Sequence, residues 1–113
     1  MNERNITSLE YLTAVLGENP GVLVYFSTSD CSVCKVLKPK VKTLLKNEFP
    51  EMTFAYVDSE VYPEISAQHN VFTAPTLLVF FAGKETVRKS RHIGIDELRE
   101  AIQRPYRLMF GGS

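Results

Sequence analysis

The sequence predicts an α/β fold, a mixed sheet with helices on both faces, on three observations. Helix-like and strand-like stretches alternate in the order α-β-α-β-α-β-β-α. The stretches that read as strands, above all residues 21–27 and 76–81, are apolar almost without interruption, as strands covered on both faces are. The only two cysteines, Cys31 and Cys34, stand where the first such strand hands over to a helix. In this order parallel crossovers come first and an antiparallel hairpin follows.

Each element has a local reason. Thr7 or Ser8 caps a first helix whose Leu9, Leu12, Val15 and Leu16 keep helical spacing. Residues 17–21, with Asn19-Pro20 inside, end that helix and turn the chain. Residues 21–27 form a central strand. The helix after the cysteines, residues 35–49, carries Val36, Leu37, Val41, Leu44 and Leu45, with Pro39 near its middle, where a proline bends a helix. A second strand runs from Met52 to Val57 and ends at Asp58. Pro63 suits the first turn of a short helix reaching about His69. Thr76 to Phe81 is a third strand, and Ala82-Gly83-Lys84 turns it into a fourth, Thr86 to Ile93. Asp96 caps a last helix through Leu98, Ala101 and Ile102. Four strands are expected, or five if a short one forms near Asn5-Ile6.

With 113 residues the chain suits a single domain over residues 1–113. Apolar residues make up 44% and charged residues 23%, the balance of a globular protein. The 13 basic and 13 acidic residues cancel, which argues against nucleic acid or an anionic membrane as partner. Met1-Asn-Glu-Arg-Asn5 is polar with no apolar run behind it, so no signal peptide and no membrane span is expected, and the cytoplasm is the expected compartment. There a lone cysteine pair points to catalysis or metal binding rather than to a structural staple. A structural metal site needs about four ligands, and only the distant His69 and His92 join the cysteines. No metal and no cofactor is therefore expected.

A CxxC at the start of a helix suits dithiol chemistry. Free N–H groups and the positive end of the helix dipole favour a thiolate there. The second thiol lies one turn on, within reach of a disulfide. Lys35 acts in the same direction as the dipole and Asp30 against it, with net lowering of the Cys31 pKa expected. Asp30 reads first as a helix cap. Tyr25 reads as core filling, His69 and His92 as surface residues, and Arg88-Lys89-Ser90-Arg91 as a solvated edge.

From Ile6 to about Gln103 the chain resembles the thioredoxin family. Cys31-Ser32-Val33-Cys34-Lys35 is similar to its CxxCK, and Pro39 to its helix proline. Val57-Asp58 resembles the end of the family's central strand. Thr73-Ala74-Pro75-Thr76-Leu77 resembles the segment whose proline is cis, Phe80 to Lys84 the hairpin, and Ile93-Gly94 the approach to the last helix. The resemblance implies a three-layer α/β/α sandwich around a mixed sheet of four to five strands. It further implies a thiol–disulfide oxidoreductase acting on protein disulfides. Cys31 would be the exposed nucleophile and Cys34 the more buried resolving thiol. A cis Pro75 would leave the Ala74 backbone, with Thr73 beside it, to pair with an extended substrate segment. Disulfide-bearing proteins would be the substrates, and a thioredoxin reductase or another dithiol donor the reductant.

The departures from the pattern bear on activity. The chain has no tryptophan, and Asp30 stands where the family has an aromatic residue before the first cysteine. Ser32 and Val33 replace the family's Gly-Pro, which implies a more oxidising dithiol. Tyr25 aligns with the family's buried acid and Phe54 with its lysine partner, which leaves Cys34 without an evident base. The missing tryptophan and missing buried acid favour an alternative reading, an adaptor that keeps the fold with weak turnover, while the cysteines and Pro75 favour the enzyme. A glutaredoxin-like use of glutathione is a third reading, from Ser32 and Val33, against which the first helix before the strand speaks.

Overall fold

A computed structural model describes residues 1–111 of the chain. The apolar run Gly21–Ser27 is β2, the middle strand, and every residue of it is buried. Thr53–Asp58 (β3) pairs with it in parallel and Thr76–Phe81 (β4) antiparallel. Asn2–Asn5 (β1) lies parallel to β3, and Lys84–Ser90 (β5) antiparallel to β4, in the order β1-β3-β2-β4-β5. The architecture is therefore the expected sandwich with a five-stranded mixed sheet.

Strand residues alternate between two cores because successive side chains point to opposite faces. Leu23 and Tyr25 of β2, with Phe54, Leu77 and Val79, meet the helices Ser32–Glu48 (α2) and Ile95–Phe110 (α4). Val22, Val24 and Phe26, with Ala55, Val57 and Leu78, meet Leu9–Glu18 (α1) and Pro63–Gln68 (α3). This explains a β2 that is apolar at each position rather than at every second one.

Local expectations met several adjustments. Ser8 caps α1, its hydroxyl accepting the Tyr11 N–H at 3.0 Å. The fifth strand forms at Asn2–Asn5, while Ile6 follows it with its N–H donated to the Tyr56 carbonyl at 2.8 Å. The hairpin closes with Phe81 opposite Lys84, so only Ala82 and Gly83 form the turn, at φ 54° and 77°. Two positive φ values match the right-handed twist of the flanking strands, and β5 consequently starts earlier than expected and ends at Ser90, short of Ile93. α2 continues through Pro39.

The last helix differs most. Its N-cap is Gly94, with Asp96 in the first turn, and it extends through Pro105 to Phe110. Leu98, Ile102, Tyr106 and Phe110 recur every fourth residue, and all four pack on the α2-side core. Tyr106 meets Phe49 edge-on at 5.0 Å between ring centroids and Phe110 at 4.8 Å. Phe110 also covers Gly21, whose missing Cβ would lie 3.1 Å from that ring and 2.7 Å from Met52 Sδ.

Candidate active site

The dithiol sits at the junction of β2 and α2. Cys31 has extended backbone, φ −86° and ψ 101°, and is the N-cap of α2. Its Sγ accepts the Cys34 N–H at 3.1 Å, so one free donor of the helix start is directed at that sulfur. The Asp30 carboxylate is thus not the cap: the helix starts at Ser32, one residue too late for Asp30 to fill that position, and Asp30 is exposed. Cys31 and Cys34 are joined as a disulfide, with 5.2 Å between Cα atoms. Cys31 is partly exposed, whereas Cys34 is 3% exposed and belongs to the α2-side core. Ser32, Val33 and Lys35 are exposed around the pair.

The Ala74–Pro75 peptide bond is cis. Ala74 and Cys31 both pack, partly buried, on the α2-side core. Thr76 Oγ1 donates to the Thr73 carbonyl at 2.7 Å, and the Arg91 N–H to the Pro75 carbonyl at 3.0 Å, which tie the segment down on both sides. One groove borders the start of α2 and another the Pro75 segment. The first runs between Val33 and Val36 of α2 and Ile93, Gly94 and Ile95; the second holds Val71, Phe72, Thr73 and Ala74 against α3. Phe72, 78% exposed, is a large aromatic that sequence reasoning passed over as part of the approach to Pro75.

Beneath the dithiol the tyrosines are central. Tyr25 is fully buried, and its hydroxyl donates to the Cys34 carbonyl at 2.9 Å. It fills the core as expected, and it also holds the first turn of α2. Burial, reinforced by the Tyr56 hydroxyl nearby, pushes its pKa up to about 12, so it stays neutral at physiological pH. The residue opposite Tyr25 on β3 is Tyr56 rather than Phe54, because the parallel register pairs Leu23 with Phe54. The Tyr25 and Tyr56 rings stack at 6.3 Å, and Phe54 lies at 5.8 Å from Tyr25 on the same face. Tyr56 and Ser27 share a hydroxyl hydrogen bond at 2.8 Å. Lys38 Nζ lies 3.9 Å from the centre of the Tyr56 ring. Its spacing of four from Cys34 was the signal in the sequence that could have found it.

His69 is not a plain surface residue. It is half-buried, with its ring 6.4 Å from that of Phe26 and 5.9 Å from that of Phe80, because α3 ends over the sheet. Nor is Arg88 only a solvated edge residue: it donates to the His69 and Asn70 carbonyls at 2.7 and 3.1 Å and pairs with Glu85. Among the described residues no group of three or more His, Cys, Asp or Glu side chains could hold a metal ion.

The thioredoxin family model matches residues 3–104. The chain belongs to the thioredoxin family. It is 27% identical over 111 residues to the thioredoxin-like protein YdfQ of Bacillus subtilis, covering 96% of this chain and 98% of that one. It is 30% identical over 83 residues to a thioredoxin of Mycobacterium bovis, covering 74% and 72%. Among solved structures, a mutant thioredoxin from Halobacterium salinarum superposes with a TM-score of 0.81 at 24% identity, over 90% of this chain and 88% of the other, a likeness of fold. A thioredoxin-family chain with its cysteines at CxxC spacing is a thiol–disulfide oxidoreductase, and its reaction is with protein disulfides.

Proposed function

We propose that Cys31 is the attacking thiol and Cys34 the resolving one. The Cys31 thiolate attacks one sulfur of a substrate disulfide, and the other substrate sulfur leaves as thiolate. Cys34, once deprotonated, then attacks Cys31 Sγ and releases the second substrate thiol. Two electrons pass to the substrate and the Cys31–Cys34 disulfide closes. A dithiol donor, such as a thioredoxin reductase system, returns the pair to the reduced form. The asymmetry of the pair carries this reading: Cys31 is accessible and its sulfur receives the Cys34 N–H, while Cys34 is buried.

The segment Thr73-Ala74-Pro75 suits an extended stretch of substrate beside the disulfide, with the Ala74 backbone as its pairing partner. The helix-start donor on Cys31 Sγ favours the reduced form, and this supports a dithiol more oxidising than the roughly −270 mV of thioredoxin. The chain would work as a single domain. A cytoplasmic compartment is proposed, supported by likeness to bacterial thioredoxins; no helix among the described residues is long and apolar enough to cross a membrane.

Reduction of insulin disulfides with dithiothreitol as donor tests the roles. Cys31→Ser should abolish turnover. Cys34→Ser should instead accumulate a mixed disulfide at Cys31, visible by intact mass. Turnover that survives Cys31→Ser, or a mixed disulfide on Cys34, would reverse the assignment.

A further inference from the structure

The resolving step needs Cys34 as a thiolate, yet Cys34 is buried, and burial disfavours the charged form. The hydroxyl beneath it cannot take its proton near neutral pH, since Tyr25 holds its own proton and donates it to the Cys34 carbonyl. Tyr56 is engaged with Ser27. Two cations of α2, Lys38 and Lys42, reach over aromatic rings in this layer between helix and sheet, and Lys38 is the one a single turn from Cys34. Lys38 follows Cys34 by four residues on α2, which brings their Cβ atoms to about 5–6 Å on one helix face. A helical side chain covers the turn before its own Cα, so the Lys38 stem leans toward Cys34.

Lys38 is half-buried, its ammonium over the Tyr56 ring, 3.9 Å from the centroid, and that ring stacks on Tyr25. The charged groups around it are few. Lys42, one turn further along α2, is paired with Glu3 of β1 at 2.9 Å and lies over the Phe54 ring. From the strands, the Tyr56 ring lies under Lys38, with the Tyr25 ring stacked on Tyr56. Among the described residues no carboxylate stands at ion-pair distance from Lys38. Lys35 and Lys40, the nearest other cations on α2, are exposed.

We propose that the Lys38 ammonium, held over Tyr56, favours the thiolate form of Cys34 and thereby sets the rate of the resolving step. Lys38 acts through space from one turn away, so it is a positioning residue and not a proton acceptor. Burial, with Lys42 adding to it and Glu3 opposing, lowers the Lys38 pKa from its ordinary value, as expected of a cation drawn out of water. A cation partly out of water acts more strongly on a neighbouring anion than one in solvent. The proposal rests on Cys34 being the resolving thiol.

The reduced protein reacted with Ellman's reagent gives two releases of thionitrobenzoate: one when Cys31 attacks, a second when Cys34 displaces the thionitrobenzoate left on Cys31. Stopped-flow absorbance of the second phase, from pH 6 to pH 10, reads the step directly. Lys38→Met should slow it on the order of tenfold near pH 7 and move its midpoint up by about one pH unit. The rates should converge at alkaline pH, where Cys34 is ionised without help; a packing defect would not produce that convergence. Lys38→Arg, which keeps the charge, should stay within about twofold of the parent, and Lys38→Gln should repeat the Lys38→Met result if that variant folds poorly. An unchanged second phase in Lys38→Met and Lys38→Gln overturns the proposal. So does equal slowing in Lys38→Arg, which would show that charge is not the agent. Cys34→Ser run alongside should lose the second phase; if it did not, the assignment of Cys34 would fall first.

Discussion

Replacing Tyr25 by phenylalanine removes one hydroxyl from the floor of the dithiol site and leaves the ring between Phe54 and Tyr56. At neutral pH the loss is the hydrogen bond to the Cys34 carbonyl, 2.9 Å long and buried. Such a bond contributes about 1 kcal/mol net. With a urea m-value of about 2 kcal/mol/M, the midpoint should fall by roughly 0.5 M. The pH dependence makes the test specific. Folded Tyr25 titrates near 12 against an ordinary 10, chiefly through burial and then through Tyr56. Between those values the unfolded chain has lost the phenolic proton and the folded chain keeps it, so stability falls as pH rises. At about 1.36 kcal/mol per unit, the loss reaches at most about 2.7 kcal/mol at pH 12. Tyr25→Phe lacks this loss. Its deficit at pH 7 should therefore shrink above pH 10 and change sign as pH 12 is approached. Urea titrations of both proteins at pH 7, 9, 10, 11 and 11.5 measure the difference, and other titrating groups largely cancel in it. A constant difference across that range would refute the assignment of a buried, protonated Tyr25.

Three further outcomes are expected. His69 has its pKa lowered by burial, with Glu85 opposing and Arg88 adding to it; the unfolded chain therefore takes up a proton first, and stability should fall as pH drops below about 6.5, an acid slope that thermal melts should find reduced in His69→Gln. Gly21→Ala should cost about 1–3 kcal/mol, because the new Cβ meets Met52 Sδ and the Phe110 ring, and urea titrations should find that cost smaller when the same change is made in a Met52→Ala background. Phe110→Ala should also lower the urea midpoint, since its ring packs on Tyr106 and over Gly21; an unchanged midpoint would mean that the end of α4 adds nothing to the core.

Much of the fold was legible because short-range signals agreed with one another. The apolar continuity of residues 21–27 and 76–81, the Ser8 cap, Pro63 at a helix start and Ala82-Gly83 at a turn are each decided within a few residues of chain. The candidate site was legible in the same way where it is local. CxxC at a strand–helix junction needs only helix geometry to direct the Cys34 N–H at the Cys31 sulfur.

Contacts between distant segments were not legible, since they follow from strand register and from where a helix lands. A register that sets Leu23 beside Phe54 brings Tyr56 opposite Tyr25, two residues further on but on the same face. Local patterning favours neither residue, because both are aromatic and both point toward α2. The final helix passes Ile102 because Phe49, Met52 and Gly21 leave a surface that Tyr106 and Phe110 cover, and Pro105 is carried inside it. His69 lies against Phe26 and Phe80 because α3 ends over the sheet. The sequence by itself determined the dithiol and the layers that carry it, through periodicity and capping within single elements. Only the tertiary structure decided what lies beneath Cys34, a stacked tyrosine pair with a lysine above it, because those side chains come from β2, β3 and α2 and meet only when the elements pack.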